Sequence, residues 1–148
     1  MDEAGGTLYT IGYEGHSGAS LVRTLQAAKV RRLIDVRLTP NSRRRDFSLN
    51  ALFQRLHRAG IAYEHHRELG NPPDIRKLWE GTTLDEGRLR YRQLVKEAPG
   101  DPVDRLIRLA RIEPVAILCR EREPHRCHRS VVAEVAVERD EGLGIIHL

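Results

Sequence analysis

Apolar positions along this chain follow two rhythms, and their alternation predicts the elements. Short, largely apolar segments at 8–13, 33–37, 61–65, 115–119 and 144–148 have the length of strands, bounded by glycine, proline or charged residues. Between the first two, Leu21, Val22, Leu25 and Ala28 mark one face of a helix. A second helical stripe, Leu49, Leu52, Phe53 and Leu56, closes at Gly60. Ser17 suits a cap for the first helix, because its hydroxyl accepts from the unpaired amides of an opening turn. Helical spacing returns over 85–98 and 103–111, on either side of a break at Pro99–Pro102, and again from Cys127 through Val131, Val132, Val135 and Ala136. Residues 66–84 follow neither rhythm: Gly70, Pro72, Pro73 and Gly81 surround Trp79, the only tryptophan. That stretch is either a functional lid or a short helical turn whose indole plugs the core.

Strands that alternate with helices imply right-handed crossovers and an α/β architecture. The expected fold is a single three-layer domain over 1–148, with a mostly parallel five-stranded sheet and helices on both faces. A chain of 148 residues buries roughly 70% of its unfolded surface in one such domain. Ligands of open parallel sheets gather beyond the carboxyl ends of the strands. Tyr13, Glu14 and His16 follow the first strand; Asp35, Arg37, Ser42 and Arg43 lie at or after the end of the second; Cys119, Glu121, Cys127 and His128 follow the fourth. These three loops are expected to open on one rim.

The richest chemistry lies between Val115 and Arg129, which hold both cysteines in one strand–loop–helix turn. Cys127, His128 and Arg129 fall at the positive end of a helix, where unpaired amides and the dipole favour an anion or a thiolate on Cys127 itself. Adjacent helical positions do not face each other, so the base beside Cys127 is His128 or a loop histidine, His16 or His125. Arg37, Arg43 and Arg129 are candidate anion clamps, Glu14 and Glu121 candidate proton carriers. The structural alternative makes Cys127 a small residue packed where helix meets sheet.

Cys119, Cys127 and His128, with a fourth ligand such as His16, also form a candidate zinc set, although the paired-cysteine knuckle spacing is missing. Seven residues separate the cysteines, a spacer able to bring two sulfurs together as a redox pair. Asp35-Val36-Arg37 after an apolar strand, with a later loop opening Cys119-Arg120, is similar to the rhodanese pattern. Glu121 and Glu123, however, interrupt the amide cradle that such a site needs. Asp35 and Arg37, two apart, share a strand face and read either as site residues or as a buried pair ordering the 40–47 loop. Gly12, Gly15 and Gly18 do not reproduce the dinucleotide fingerprint, so no cofactor is identified.

The chain has 22 arginines, 3 lysines and a formal charge of +4. Arginine forks suit phosphate and carboxylate, yet 21 acidic residues balance most of the charge, and arginine-rich codon usage yields the same composition. No apolar run approaches the roughly 18 residues of a membrane helix. Two cysteines without a secretory leader do not make a disulfide framework, and a reducing cytoplasm is the expected location.

Thr10-Ile11-Gly12-Tyr13-Glu14-Gly15, Leu33-Ile34-Asp35-Val36-Arg37 with Pro40, Ser42 and Arg43, Leu69-Gly70, and Leu118-Cys119 through Cys127-His128-Arg129 together resemble the domain-of-unknown-function 488 family. The likeness runs from about Tyr9 to His147. It implies the domain boundaries and these motifs, and brings no settled activity with it.

Two readings follow. The first is a small cytoplasmic enzyme acting on a phosphorylated, nucleotide or other anionic substrate through a cysteine-containing site at a helix N-terminus. The second is a noncatalytic module that binds nucleic acid or a nucleotide on the same arginine-lined rim, with structural cysteines. Neither involves a membrane, and homo-oligomers fit both.

Overall fold

Val115–Cys119, five buried residues, forms the middle strand β4 in a computed structural model that describes residues 6–148. A strand apolar throughout is what a sheet covered on both faces requires. The other strands are β1 (Thr7–Gly12), β2 (Arg32–Asp35), β3 (Ala62–His65) and β5 (Gly144–His147). Their order is β3-β2-β4-β1-β5, and every pairing is parallel.

The helices divide by face. Helices α1 (Gly18–Ala27) and α2 (Leu49–Arg58) place Leu21, Leu25, Leu52 and Leu56 against Ile11, Leu33, Ala116 and Leu118 on one side of the sheet. On the other, α4 (Leu84–Glu97), α5 (Pro102–Ile112) and α6 (His128–Arg139) bring Tyr91, Val95, Leu106, Val131 and Val135 against Leu8, Ile34, Val115 and Ile117. Alternate residues of one strand thus serve two cores, as the two-residue period of a strand dictates. α1 opens on Ser17, whose hydroxyl accepts from the Ser20 amide while Ser20 reciprocates. The chain leaves α2 through Gly60 at φ +76°, a conformation in which glycine carries no steric penalty.

Two details differ from the sequence pattern. β2 ends at Asp35 rather than Arg37, because Arg37 turns back and donates its amide to Asp35 Oδ1 at 3.1 Å. Residues 66–84 are not featureless: they make short turns and the four-residue helix α3 (Pro73–Arg76), ending in a turn at Lys77–Trp79. Trp79 is buried there, edge-on to Tyr91 with ring centroids 6.2 Å apart and the Arg88 guanidinium over its face. The indole fills the core beneath α4. Among the described residues no helix is long and apolar enough to cross a membrane.

Candidate functional site

A parallel sheet sends every strand out at the same edge, and here the loops after β1, β2 and β4 are tied to one another. Tyr13 and Glu14 extend the ladder beyond β1 by donating to the carbonyls of Cys119 and Arg120. The Glu14 carboxylate accepts from the Arg122 amide at 3.1 Å. Gly12 is needed at this junction: a Cβ on it would meet the Glu121 carbonyl oxygen at 1.7 Å. The loop after β2 joins through Tyr13, whose hydroxyl donates to Ser42 Oγ at 3.2 Å and whose ring stacks on Phe47 with centroids 4.5 Å apart. Arg44 donates to the His16 carbonyl.

At the centre of this rim Cys119, the last residue of β4, is joined to Cys127, the residue capping α6, as a disulfide across eight positions. Both residues are 1% exposed. His128 Nε2 donates to the Val36 carbonyl at 2.8 Å, which leaves Nδ1 as a bare lone pair 3.9 Å from Cys127 Sγ. Burial is the main reason that His128 holds a proton only below about pH 4; the nearby Arg129 charge acts in the same direction, and the bond to Val36 opposes it. The ring is held edge-on to Tyr91, centroids 5.2 Å apart. So the imidazole is neutral, fixed in one tautomer and aimed at sulfur.

Arg129 has no exposed surface. Its Nη1 reaches Cys119 Sγ at 3.3 Å and the Glu121 carbonyl at 2.6 Å, its Nη2 reaches the Arg122 carbonyl, and its Nε has no partner. Burial lowers its pKa to about 10, against the pull of the Glu121 and Glu123 charges, so it is still a cation at neutral pH. The Glu121 carboxylate lies 4.0 Å from Cys119 Sγ. An anion entering at that sulfur therefore meets a carboxylate as well as a guanidinium.

Asp35 and Arg37 form a closed pair. The guanidinium grips the carboxylate with both prongs, at 2.9 and 2.6 Å, and spends its remaining nitrogen on the Phe47 carbonyl. Tyr63 donates to the same carboxylate at 2.6 Å, and His65 Nε2 meets the Arg37 carbonyl at 2.7 Å. Burial, with the Asp35 charge, pushes the Tyr63 hydroxyl well above its usual pKa. Of the three arginines expected to clamp an anion, Arg37 is thus committed to Asp35, Arg129 is buried behind Cys119, and only Arg43 is exposed.

The amides opening α1 are also occupied. Ser17 donates to Ser20 Oγ and Gly18 to Asp46 Oδ2, so a phosphate at Ser17 and Gly18 would face a carboxylate. His16, expected from the sequence as base or fourth metal ligand, directs Nδ1 to Ser20 Oγ at 2.8 Å and does not join the cluster of ligand atoms formed by Cys119, Cys127 and His128. Burial, followed by the charges of Arg122 and Arg44, lowers its proton affinity.

Three participants carry no signal in the sequence pattern. Tyr63 reads as an ordinary strand aromatic. The Val36 carbonyl, which sets the His128 tautomer, is backbone. Arg88 reaches from α4 to the His125 carbonyl, Ser130 Oγ and Glu134, fastening the loop between the cysteines to two helices.

The family model described as Domain of unknown function DUF488 matches residues 18–136. No curated protein and no solved structure matches the chain.

Proposed function

The chain belongs to the family of the domain of unknown function DUF488, and we propose that it is a small enzyme of thiol–disulfide exchange whose reactive pair is Cys119 and Cys127. The observation that carries the reading is the guanidinium of Arg129. It is a buried cation whose hydrogen bonds go to Cys119 Sγ and two backbone carbonyls, with the Glu121 and Glu123 charges acting on it without a direct bond. A buried charge without a bonded counter-charge is costly, and a thiolate on Cys119 in the dithiol state supplies one in direct contact. Negative charge thereby falls on Cys119, and Cys127, the more obvious candidate by sequence, takes the second role.

In the reaction, the Cys119 thiolate attacks one sulfur of an external disulfide and expels the other as a thiolate, which takes up a proton from water. Cys127 then gives up its proton and attacks Cys119 Sγ in the mixed disulfide, releasing the second external thiol and closing the internal bond. The two electrons lost by the cysteine pair are those gained by the substrate. His128 Nδ1 orients the Cys127 S–H; with so low a proton affinity it hands the proton on rather than keeping it. Because both sulfurs are buried, exchange requires the loop 120–126 to lift. Its Arg120, Arg122, Glu123, His125 and Arg126 are all exposed.

Arg43, Arg44 and Arg45 after β2, with Arg120, Arg122 and Arg126 after β4, place exposed guanidinium groups around this loop and favour an anionic substrate. The same arginines support the noncatalytic alternative, a nucleic-acid module, whose signature is affinity that falls steeply with salt.

An anionic aromatic disulfide, 5,5′-dithiobis(2-nitrobenzoate), tests the enzyme reading on the reduced protein. About two equivalents of the aromatic thiol are released per chain, the second by closure of the internal bond. Cys127→Ser stops after about one and traps the adduct on Cys119, and Cys119→Ser reacts roughly 100-fold more slowly. Equal rates for wild type and Cys119→Ser, or reaction only in denaturant, contradict the proposal.

A further inference from the structure

We propose that the dithiol form of the protein binds one thiophilic d10 divalent cation, of the zinc type, through Cys119 Sγ, Cys127 Sγ and His128 Nδ1. These three ligand atoms all lie within 4.8 Å of one another, and all three residues are buried. In a tetrahedral zinc site, bonds of about 2.3 Å to sulfur and 2.0–2.1 Å to nitrogen put the ligand atoms roughly 3.5–3.8 Å apart. Cys127 Sγ and His128 Nδ1 stand at 3.9 Å, and the Cα atoms of the cysteines at 7.3 Å. That Cα spacing is wider than the roughly 4.4–6.8 Å usual across a disulfide, so once the bond is reduced the two sulfurs can draw apart to the separation of tetrahedral ligands.

A second, independent feature is the imidazole. Metal-bound histidines donate their other ring N–H to a carbonyl or carboxylate, which fixes the tautomer and aims the bare nitrogen. His128 is already so held by the Val36 carbonyl at 2.8 Å, and its ring is braced by Tyr91. Two thiolates and a divalent cation are together neutral. Arg129 then donates to a sulfur ligand from outside the coordination sphere, where it bonds Cys119 Sγ at 3.3 Å. The Glu121 carboxylate, 4.0 Å from Cys119 Sγ, does not join the cluster of the three ligand atoms, so the fourth position of a tetrahedral ion is left to water. The site shares its sulfurs with the exchange reading but needs only that they be reduced, not that they turn over.

Cobalt(II) reports such a site through thiolate-to-metal charge transfer and the intense visible bands of a tetrahedral centre. Reduced, desalted protein titrated anaerobically with Co2+ develops both, saturates near about one equivalent per chain, and is bleached by one equivalent of Zn2+. Protein oxidised to the disulfide gives neither. Cys119→Ser and Cys127→Ser each lower the Zn2+ affinity by at least about 100-fold in competition with a chromophoric chelator. Absence of the charge-transfer band from reduced, folded protein, or wild-type affinity in Cys119→Ser, overturns the proposal. Cobalt binding without disulfide exchange leaves the metal site standing and removes the enzyme reading; exchange without cobalt binding does the reverse.

Discussion

Asp35→Ala is expected to lower the unfolding free energy by about 3–5 kcal/mol, the cost of removing one partner from a buried ion pair. The carboxylate has no exposure and is the only anion bonded to the Arg37 guanidinium among the described residues; Arg37 and Tyr63 lose their shared acceptor together. For a chain of this size the loss corresponds to a melting temperature roughly 10 °C lower. The double variant Asp35→Ala, Arg37→Met recovers part of it, since it leaves no charge without a partner. Urea unfolding of the two proteins and the wild type measures the coupling. A loss below about 1 kcal/mol for Asp35→Ala, as at an ordinary surface site, contradicts the role given to the pair.

Acid acts on the fold through His128. Its native-state pKa is depressed, from 6.5 to about 4, so below pH 6.5 the unfolded chain binds a proton that the native chain refuses. The stability that neutral His128 contributes is present above pH 6.5 and is lost as pH falls toward 4. At about 1.4 kcal/mol per pH unit, the full effect is about 3 kcal/mol. His16 and His147 shift in the same direction, which steepens the wild-type curve, so the comparison is with His128→Asn. That variant is less stable at pH 7, where the bond to Val36 is lost, and its disadvantage shrinks between pH 6.5 and 4.5. Parallel wild-type and variant curves over that range rule out His128 as the buried base.

Much of this arrangement is legible in the sequence alone. The Ser17 cap, the stripe Leu21, Val22 and Leu25, the Gly60 stop and the wholly apolar β4 are local signals, and each has one inexpensive structural solution. The parallel sheet then follows from alternation, and with it the gathering of Tyr13, Ser42, Val36 and Cys119 at one edge, because parallel strands end on the same side. What pattern does not encode is partnership across elements. Arg37 and Arg129 read as free cations because nothing local shows Asp35 closing on one or Cys119 lying against the other. The stretch around Trp79 reads equally as a lid or as a turn whose indole plugs the core until the depth of the core beneath α4 is known; burial and edge packing on Tyr91 decide for the plug. The seven-residue spacer permits the cysteines to meet, but only the placement of α6 against β4 brings their sulfurs together.

The most direct test of the shared sulfur centre is the intact mass of protein equilibrated across a dithiothreitol redox series and then quenched with a maleimide. If Cys119 and Cys127 form one two-electron couple, the count of labelled thiols moves from none to both in a single step, with no singly labelled species along the way. Two thiols that stay open to labelling at the oxidising end, or that are lost one at a time, contradict the pairing and the site built on it.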